Sequence, residues 1–403
     1  MHYGLTSLTL ILLASVAVSA ADIDTGQAGT LSIHGFASQG ALKSSDNNYL
    51  APDSIRGTAN FNEFGLAVSD HVNDQLSVGM QLFARSLGDS GKDQVSLDWA
   101  YGDYRWKDWL GIRAGKIHTP LGLYNESRDI DLLRTDILLP QILIYNEGYR
   151  DVLTSFSGAE IYGNIDAQKF GSLDYEIFGG STQIPADSSL TDKLTDSGFF
   201  SVTSYDIKDI WGGQATWSTP LTGLRVGGSY YKTDWSYTGA VNLPTPIGVI
   251  SEPDFSDNTT TIEVGSAEYT WHDLLLAGEI EHTNSQLVNR LSFISRTVSK
   301  ENGYYVMAGY RFSKYFSAAA SFACSHTDST NSSTAAELLY QKDTAASVRF
   351  DIDPHWLVKL EGHYMVGDQG LLQANNPSEV NAAGQFRPEQ HWWVGAAKTT
   401  FSF

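Results

Sequence analysis

The feature that most restricts this chain is a two-residue alternation that recurs from residue 30 to the C-terminus, broken by connections that are by turns very short and very long. Leu76, Val78, Met80 and Leu82 alternate with Ser77, Gly79 and Gln81. Trp211, Gly213, Ala215 and Trp217 stand against Gly212, Gln214, Thr216 and Ser218. Trp356, Val358, Leu360, Gly362 and Tyr364 stand against Leu357, Lys359, Glu361 and His363. A period of two puts successive side chains on opposite faces of a strand, and helical spacing explains none of these runs.

Candidate strands fall near 30–43, 59–70, 75–86, 94–106, 109–119, 156–166, 172–180, 210–219, 224–237, 260–271, 274–284, 303–313, 315–327, 341–352, 356–367 and 391–403, about sixteen in all. Tight turns at Asp70–Asp74, Arg105–Asp108, Lys169–Gly171, Pro220–Gly223, His272–Asp273, Lys314 and Asp353–His355 alternate with long connections at 120–155, 181–209, 238–259, 285–302 and 368–390. A sandwich mixes loop lengths at its two ends. One end of tight turns and one of long excursions predicts an all-β chain forming a transmembrane antiparallel β-barrel, with short periplasmic turns and long extracellular loops. The strands approach the roughly 9–11 residues that a tilted spanning strand needs. Hydrocarbon tolerates no unpaired backbone donor, so the last strand must close onto the first.

Composition narrows the function. With 46 Asp+Glu against 26 Lys+Arg the formal charge is -20, which excludes a nucleic-acid partner because phosphate binding needs a basic footprint. Cys324 is the one cysteine, so neither an internal disulfide nor a thiolate-clustered metal site is available. By parity Cys324 shares the lipid face with Phe316, Ala318, Ala320 and Phe322. Beyond the first twenty residues no apolar run reaches the ~18 of a spanning helix. Residues 1–20, apolar from Leu5 onward and ending Val18-Ser19-Ala20, read as a cleaved export signal, although no Lys or Arg precedes the apolar stretch. Residues 21–403 then form a single domain. Aromatic residues gather where strands meet connections, at Trp106, Trp109, Trp217, Trp235, Trp271, Tyr315, Phe316, Trp356, Trp392 and Trp393, as interfacial girdles would require.

Asp98-Trp99-Ala100-Tyr101-Gly102-Asp103-Tyr104-Arg105, then Ile112-Arg113-Ala114-Gly115-Lys116, then Pro120 through Asp129, Leu138-Leu139-Pro140-Gln141 and the terminal Phe401-Ser402-Phe403 resemble Gram-negative outer-membrane porins. The resemblance is to the broad group that includes the phosphate-selective porins O and P. It implies a homotrimer of sixteen-stranded, water-filled barrels, each narrowed by an inward-folded loop after the fifth strand, and a C-terminal Phe403 read by the barrel-assembly machinery. Outer-membrane lipid and lipopolysaccharide would be its surroundings.

The longest connection, 120–155, follows the fifth candidate strand and carries charges of both signs, which across a constriction create a transverse field. The candidate constriction residues are Arg113, Lys116, Glu126, Arg128, Asp129, Asp131 and Arg134. Parity assigns Arg85, Asp98, Arg225, Glu279, Glu281, Arg311, Arg349, Lys359 and Glu361 to the lumen wall, with Asp174, Glu176 and Asp351 beside them. Lys116 falls on the outward face by strict parity and needs a bulge or a rim position. The wall is close to neutral, and a phosphate-selective pore would carry a dense basic ladder instead. The acidic surplus falls in connections, at Asp187, Asp192, Asp196, Asp254, Asp257 and Glu379, where divalent cations shared with lipopolysaccharide could bind.

No catalytic motif is found. Gly88-Asp89-Ser90-Gly91-Lys92 lacks the spacing and helix of a phosphate loop and reads as a hairpin loop. The histidines, including His326, His355 and His363, read as single solvated imidazoles; no cofactor or metal is called for. The expectation is a porin for passive diffusion of small hydrophilic solutes or ions, with an anion-selective porin, an adhesin and a phospholipase-like enzyme as alternatives.

Overall fold

The structure, a computed structural model, describes residues 21–24, 30–88, 91–196, 198, 200–245, 248–289, 297–329 and 336–403. The expected export signal at 1–20, Asp89 and Ser90 lie outside the described residues. In chain order the strands are β1 Ala21–Asp24, β2 Thr30–Ser44, β3 Phe61–His71, β4 Leu76–Leu87, β5 Ser96–Lys107, β6 Leu110–His118, β7 Ser155–Asp166, β8 Ser172–Ser181 and β9 Phe200–Ser218. They continue with β10 Leu224–Thr245, β11 Gly248–Trp271, β12 Leu274–Asn289, β13 Thr297–Ser313, β14 Phe316–Ser329, β15 Tyr340–Asp353, β16 Trp356–Gly367 and β17 His391–Ser402. Two short helices, α1 Arg150–Leu153 and α2 Ser189–Thr195, lie in the connections.

Each strand from β2 to β17 pairs antiparallel with its neighbour in the chain, and β17 returns to β2 with Ser402 opposite Phe36, closing a sixteen-stranded barrel. β1 adds beside the start of β2, with Ala21 opposite Ile33. Closure leaves no sheet edge whose donors and acceptors would lie unpaired in hydrocarbon, at several kcal/mol each. All sixteen expected strands are present, and the seven expected tight turns all lie at one end.

Three expected loops are shorter than the sequence suggested. Nearly all of 238–259 and much of 285–302 is strand, and the last ten residues of 181–209 belong to β9, because β9 through β13 run on past the apolar band. The β10–β11 ladder continues from Thr238 opposite Phe255 to Thr245 opposite Gly248. In water both faces of such a hairpin can be polar, so backbone pairing persists where alternation has ended. Asp254 and Asp257 therefore sit on β11, not in a loop, and Asp257 pairs with Lys208 at 3.0 Å.

The outer surface is apolar and aromatic: Trp106, Trp109, Trp217, Trp271, Tyr315, Trp356 and Trp393 are exposed. Trp235 and Trp392 depart from the girdle expectation. Both are buried inside the barrel, Trp235 packing near Tyr205 and Tyr237 and Trp392 against Tyr49. The interior holds two apolar clusters. One joins Leu139, Ile142, Ile144 and Tyr145 of the long connection to wall residues Phe178, Ile210, Tyr231, Ile262 and Tyr305. The other joins Ile137 and Leu138 to Leu42, Phe61, Leu87, Met365, Trp392 and Val394.

Candidate pore constriction

The connection after the fifth barrel strand, β6, begins at Thr119 and ends at Thr154, whose carbonyl accepts from the Thr119 backbone N–H at 2.9 Å. Asn125, fully buried, locks this neck by donating Nδ2 to Thr119 O at 2.9 Å and Leu153 O at 2.8 Å. Gly122 follows with φ +70°. A Cβ there would lie 2.8 Å from both Glu279 Oε1 and the Tyr145 hydroxyl, so only glycine lets the chain pass this close to the wall.

From the neck the loop crosses the lumen and is held on the far wall by carboxylates that accept its backbone N–H groups. Glu279 accepts from Leu123 N at 2.8 Å and from the hydroxyls of Tyr145 at 2.6 Å and Tyr305 at 2.8 Å. Glu281 accepts from Ile144 N at 3.2 Å. Glu361 accepts from Ile137 N at 2.7 Å and Leu138 N at 2.9 Å. Lys359 donates to Asp131 O, Asp131 Oδ1 and Asp136 O, while Lys398 binds Glu63 and Asp131. Arg349 donates to Arg134 O at 3.1 Å and pairs with Asp351 at 2.6 Å. Charged hydrogen bonds of this kind are worth roughly 1.5–3 kcal/mol each.

The loop's own charges are largely turned inward on one another. Arg150 holds Asp129 through two bonds of 2.7 and 2.6 Å. Arg128, 4% exposed, donates to the carbonyls of Ile144 at 3.3 Å and Tyr145 at 3.2 Å. Burial pushes the Arg128 guanidinium down to about 10, with Glu147 opposing the shift. Burial alone would raise the Asp129 carboxyl, but Arg150 and Arg128 hold it well below the usual range. Asp131 behaves alike: Lys398 and Lys359 outweigh its burial. Glu147, drawn down by Arg85 and Arg128 against its burial, pairs with Arg85 at 2.8 Å. Arg134 donates to Arg128 O and Ile137 O.

Asp98 is the extra residue of a bulge, since Gln81 pairs with Trp99 while Leu82 pairs with Leu97. The bulge turns its carboxylate toward Gln81 Nε2 at 2.9 Å and His118 Nε2 at 3.1 Å. Lys116, across from this irregularity, donates to the Leu97 carbonyl. Its neighbour Gly115 takes φ +141°, where a Cβ would lie 2.2 Å from Ala100 O. His118 also reaches Glu126 O at 2.9 Å, and burial together with Glu160 raises the Glu126 carboxyl despite Arg113. Arg113 pairs with Asp103 at 3.1 Å and Glu160 at 3.0 Å. Arg225 pairs with Glu268 at 2.7 Å, and Arg311 is exposed on the inward side of β13.

Between the loop and β4–β6 lies a cavity of about 230 Å³. Arg85, Lys92, Lys116 and Arg150 line it together with Asp98, Asp151 and Asp187. Lys92, Asp103, Glu160 and Lys398 were not among the expected site residues. The last three lie directly opposite expected residues, Asp103 and Glu160 on either side of Arg113 and Lys398 beside Lys359, pairings that only the register shows. His363 corrects the solvated reading, being buried between Asp343 at 3.0 Å and Glu361 at 2.9 Å.

No protein-family model and no curated protein sequence matches this chain. Solved structures do. OmpT of Vibrio cholerae, outer-membrane expressed, aligns at 11% identity over 95% of this chain and 100% of its own, with a TM-score of 0.60. OmpF of Salmonella typhi, in complex with daunomycin, aligns at 14% identity over 94% and 98%, with a TM-score of 0.56. The anion-selective porin from Comamonas acidovorans aligns at 13% identity over 93% and 99%, with a TM-score of 0.52. At such identities the likeness speaks for the fold. The chain is a closed, all-β, sixteen-stranded antiparallel barrel of the kind found in outer-membrane porins, with the loop after its fifth barrel strand folded into the lumen.

Proposed function

We propose that this protein is an outer-membrane porin through which small hydrophilic solutes and ions diffuse passively. The observation that carries this reading is the 119–154 loop, which crosses the lumen and is fixed to the far wall through Glu279, Glu281 and Glu361. Such a loop narrows a barrel without plugging it by a separate domain. The cavity beside β4–β6 is the passage in this reading, with Lys116 in its lining and Arg113 and Glu126 as further charges on β6 and the loop. Arg128, Asp129, Asp131 and Arg134 act indirectly, by holding the loop's shape. Arg349, Lys359 and Glu361 serve as anchors, and Arg85, Asp98, Arg225 and Arg311 as wall charges.

The cavity mixes four cationic with three anionic side chains, a near balance that speaks against phosphate selectivity; in an acidic protein the reading is weak cation preference or near-indifference. Zero-current potentials across a salt gradient test this: values near zero or slightly cation-preferring are expected, and strong chloride or phosphate preference would overturn it. Residues 1–20 serve as the cleaved export signal, the barrel assembles as a homotrimer among lipid and lipopolysaccharide, and Phe403 is recognised during barrel assembly. Mass analysis of the mature protein and its cross-linked form checks the first two of these.

A further inference from the structure

A second polar cavity, of about 170 Å³, lies at the loop end of the barrel, walled by Tyr149 and its neighbours, by α2, and by the upper parts of β13 and β14. It brings together one ammonium and one carboxylate. Glu301 on β13 is 8% exposed and accepts from Ser325 Oγ at 2.7 Å and Thr327 Oγ1 at 3.3 Å. Gln369 Nε2 donates to Thr327 Oγ1 at 2.7 Å, leaving that hydroxyl's proton for the carboxylate, and Gln369 Oε1 lies 3.0 Å from Ser325 Oγ, sharing its proton with Glu301.

Lys193 on α2 lays its stem over Gly148, where a Cβ would fall 2.0 Å from Cε, and holds its ammonium 4.7 Å from the Tyr149 ring centroid. Among the described residues its ammonium meets the Tyr149 ring and no carboxylate or carbonyl accepts a hydrogen bond from it. Burial lowers this lysine, and Glu301 and Asp196 offset that only in part. The Tyr149 face is occupied by the ammonium, so it offers no platform for a sugar ring. What the cavity presents instead is a separated pair of opposite charges among neutral amides and hydroxyls.

We propose that this cavity binds a small zwitterion of amino-acid size, its carboxylate on Lys193 and its ammonium on Glu301. The proposal draws on the porin reading only in that the ligand arrives from the loop side; binding is measured without conduction. Calorimetric titration of the folded protein in micelles with L-serine should give saturable binding, weakened at least about tenfold in Lys193→Gln and in Glu301→Gln. Acetate and methylammonium, each offering one charge, should bind far more weakly. Lys193 sits on a short connecting helix, so its variant keeps the test available should Glu301→Gln not fold. Unchanged L-serine binding in folded Lys193→Gln, no binding by the wild type at about 10 mM, or glucose binding more tightly than L-serine would overturn the proposal. Serine binding by a barrel that does not conduct would defeat the porin reading and leave this site standing; conduction without serine binding would do the reverse.

Discussion

Lys359 Nζ lies 2.9 Å from Asp131 Oδ1 with both side chains shut away from solvent, joining the lumen wall to the loop that crosses it. Removing one member of a buried pair costs roughly 3–5 kcal/mol because the other charge is stranded. Lys398 at 3.3 Å and Thr400 Oγ1 at 2.6 Å still reach Asp131, which places Lys359→Met near the lower end, at about 3 kcal/mol. Denaturant unfolding in micelles should show that loss. Single-channel records of the same variant should be noisier than wild type as the loop loosens.

Asp368, buried just past the end of β16, has both carboxylate oxygens without a hydrogen-bond partner among the described residues, and burial with Glu337 nearby pushes it up to about 7. The folded state therefore holds a proton that the unfolded chain releases at lower pH. Its contribution favours folding at acid pH and is lost as pH rises through about 7. Stability should fall between pH 6 and 8 by less than about 1.4 kcal/mol per pH unit, and Asp368→Asn should flatten the profile. Thermal melts of wild type and variant across that window check both statements.

Glu126 is pushed up by burial and by the Glu160 carboxylate. It loses its charge sooner than an ordinary glutamate as pH falls. Cation preference should decline as the pH is lowered from 7 toward 5, and Glu126→Gln should show the reduced preference already at pH 7. Zero-current potentials at the two pH values measure this directly.

Phe403 and Gly35 exchange both backbone hydrogen bonds, at 3.0 and 2.9 Å, and the Phe403 ring lies where a Gly35 Cβ would be. Deleting Phe403 removes the last rung of the closing seam and, in our reading, the signal for insertion. Outer-membrane levels should drop well beyond what loss of one partly buried ring explains. Quantitative immunoblots of outer-membrane fractions, with refolding yields of the same variant in micelles, separate the assembly defect from instability.

The barrel was legible because half-buried strands in lipid must alternate, and turn-rich breaks punctuate them. Trp235 could have been placed correctly by that rule, since it shares parity with Tyr231, Thr233 and Tyr237. The upper halves of β10 and β11 could not, because strands standing in water need no apolar face. Within the site, the 119–154 loop could be picked out by its length and charge. Its partners could not: Glu279 meets Tyr145 and Lys359 meets Asp131 across more than a hundred residues, and pairs so distant leave no local mark. Asp98 reaches His118 only through a bulge that nothing in the surrounding residues announces.

Single-channel recording of the folded, heat-modifiable protein in a planar bilayer tests the central claim. An open pore gives stable, ohmic steps that persist across voltages and enlarge when Glu279 and Glu281, the loop's far-wall anchors, are both changed to glutamine. Well-folded protein that inserts into the bilayer and yields no discrete conductance would contradict it.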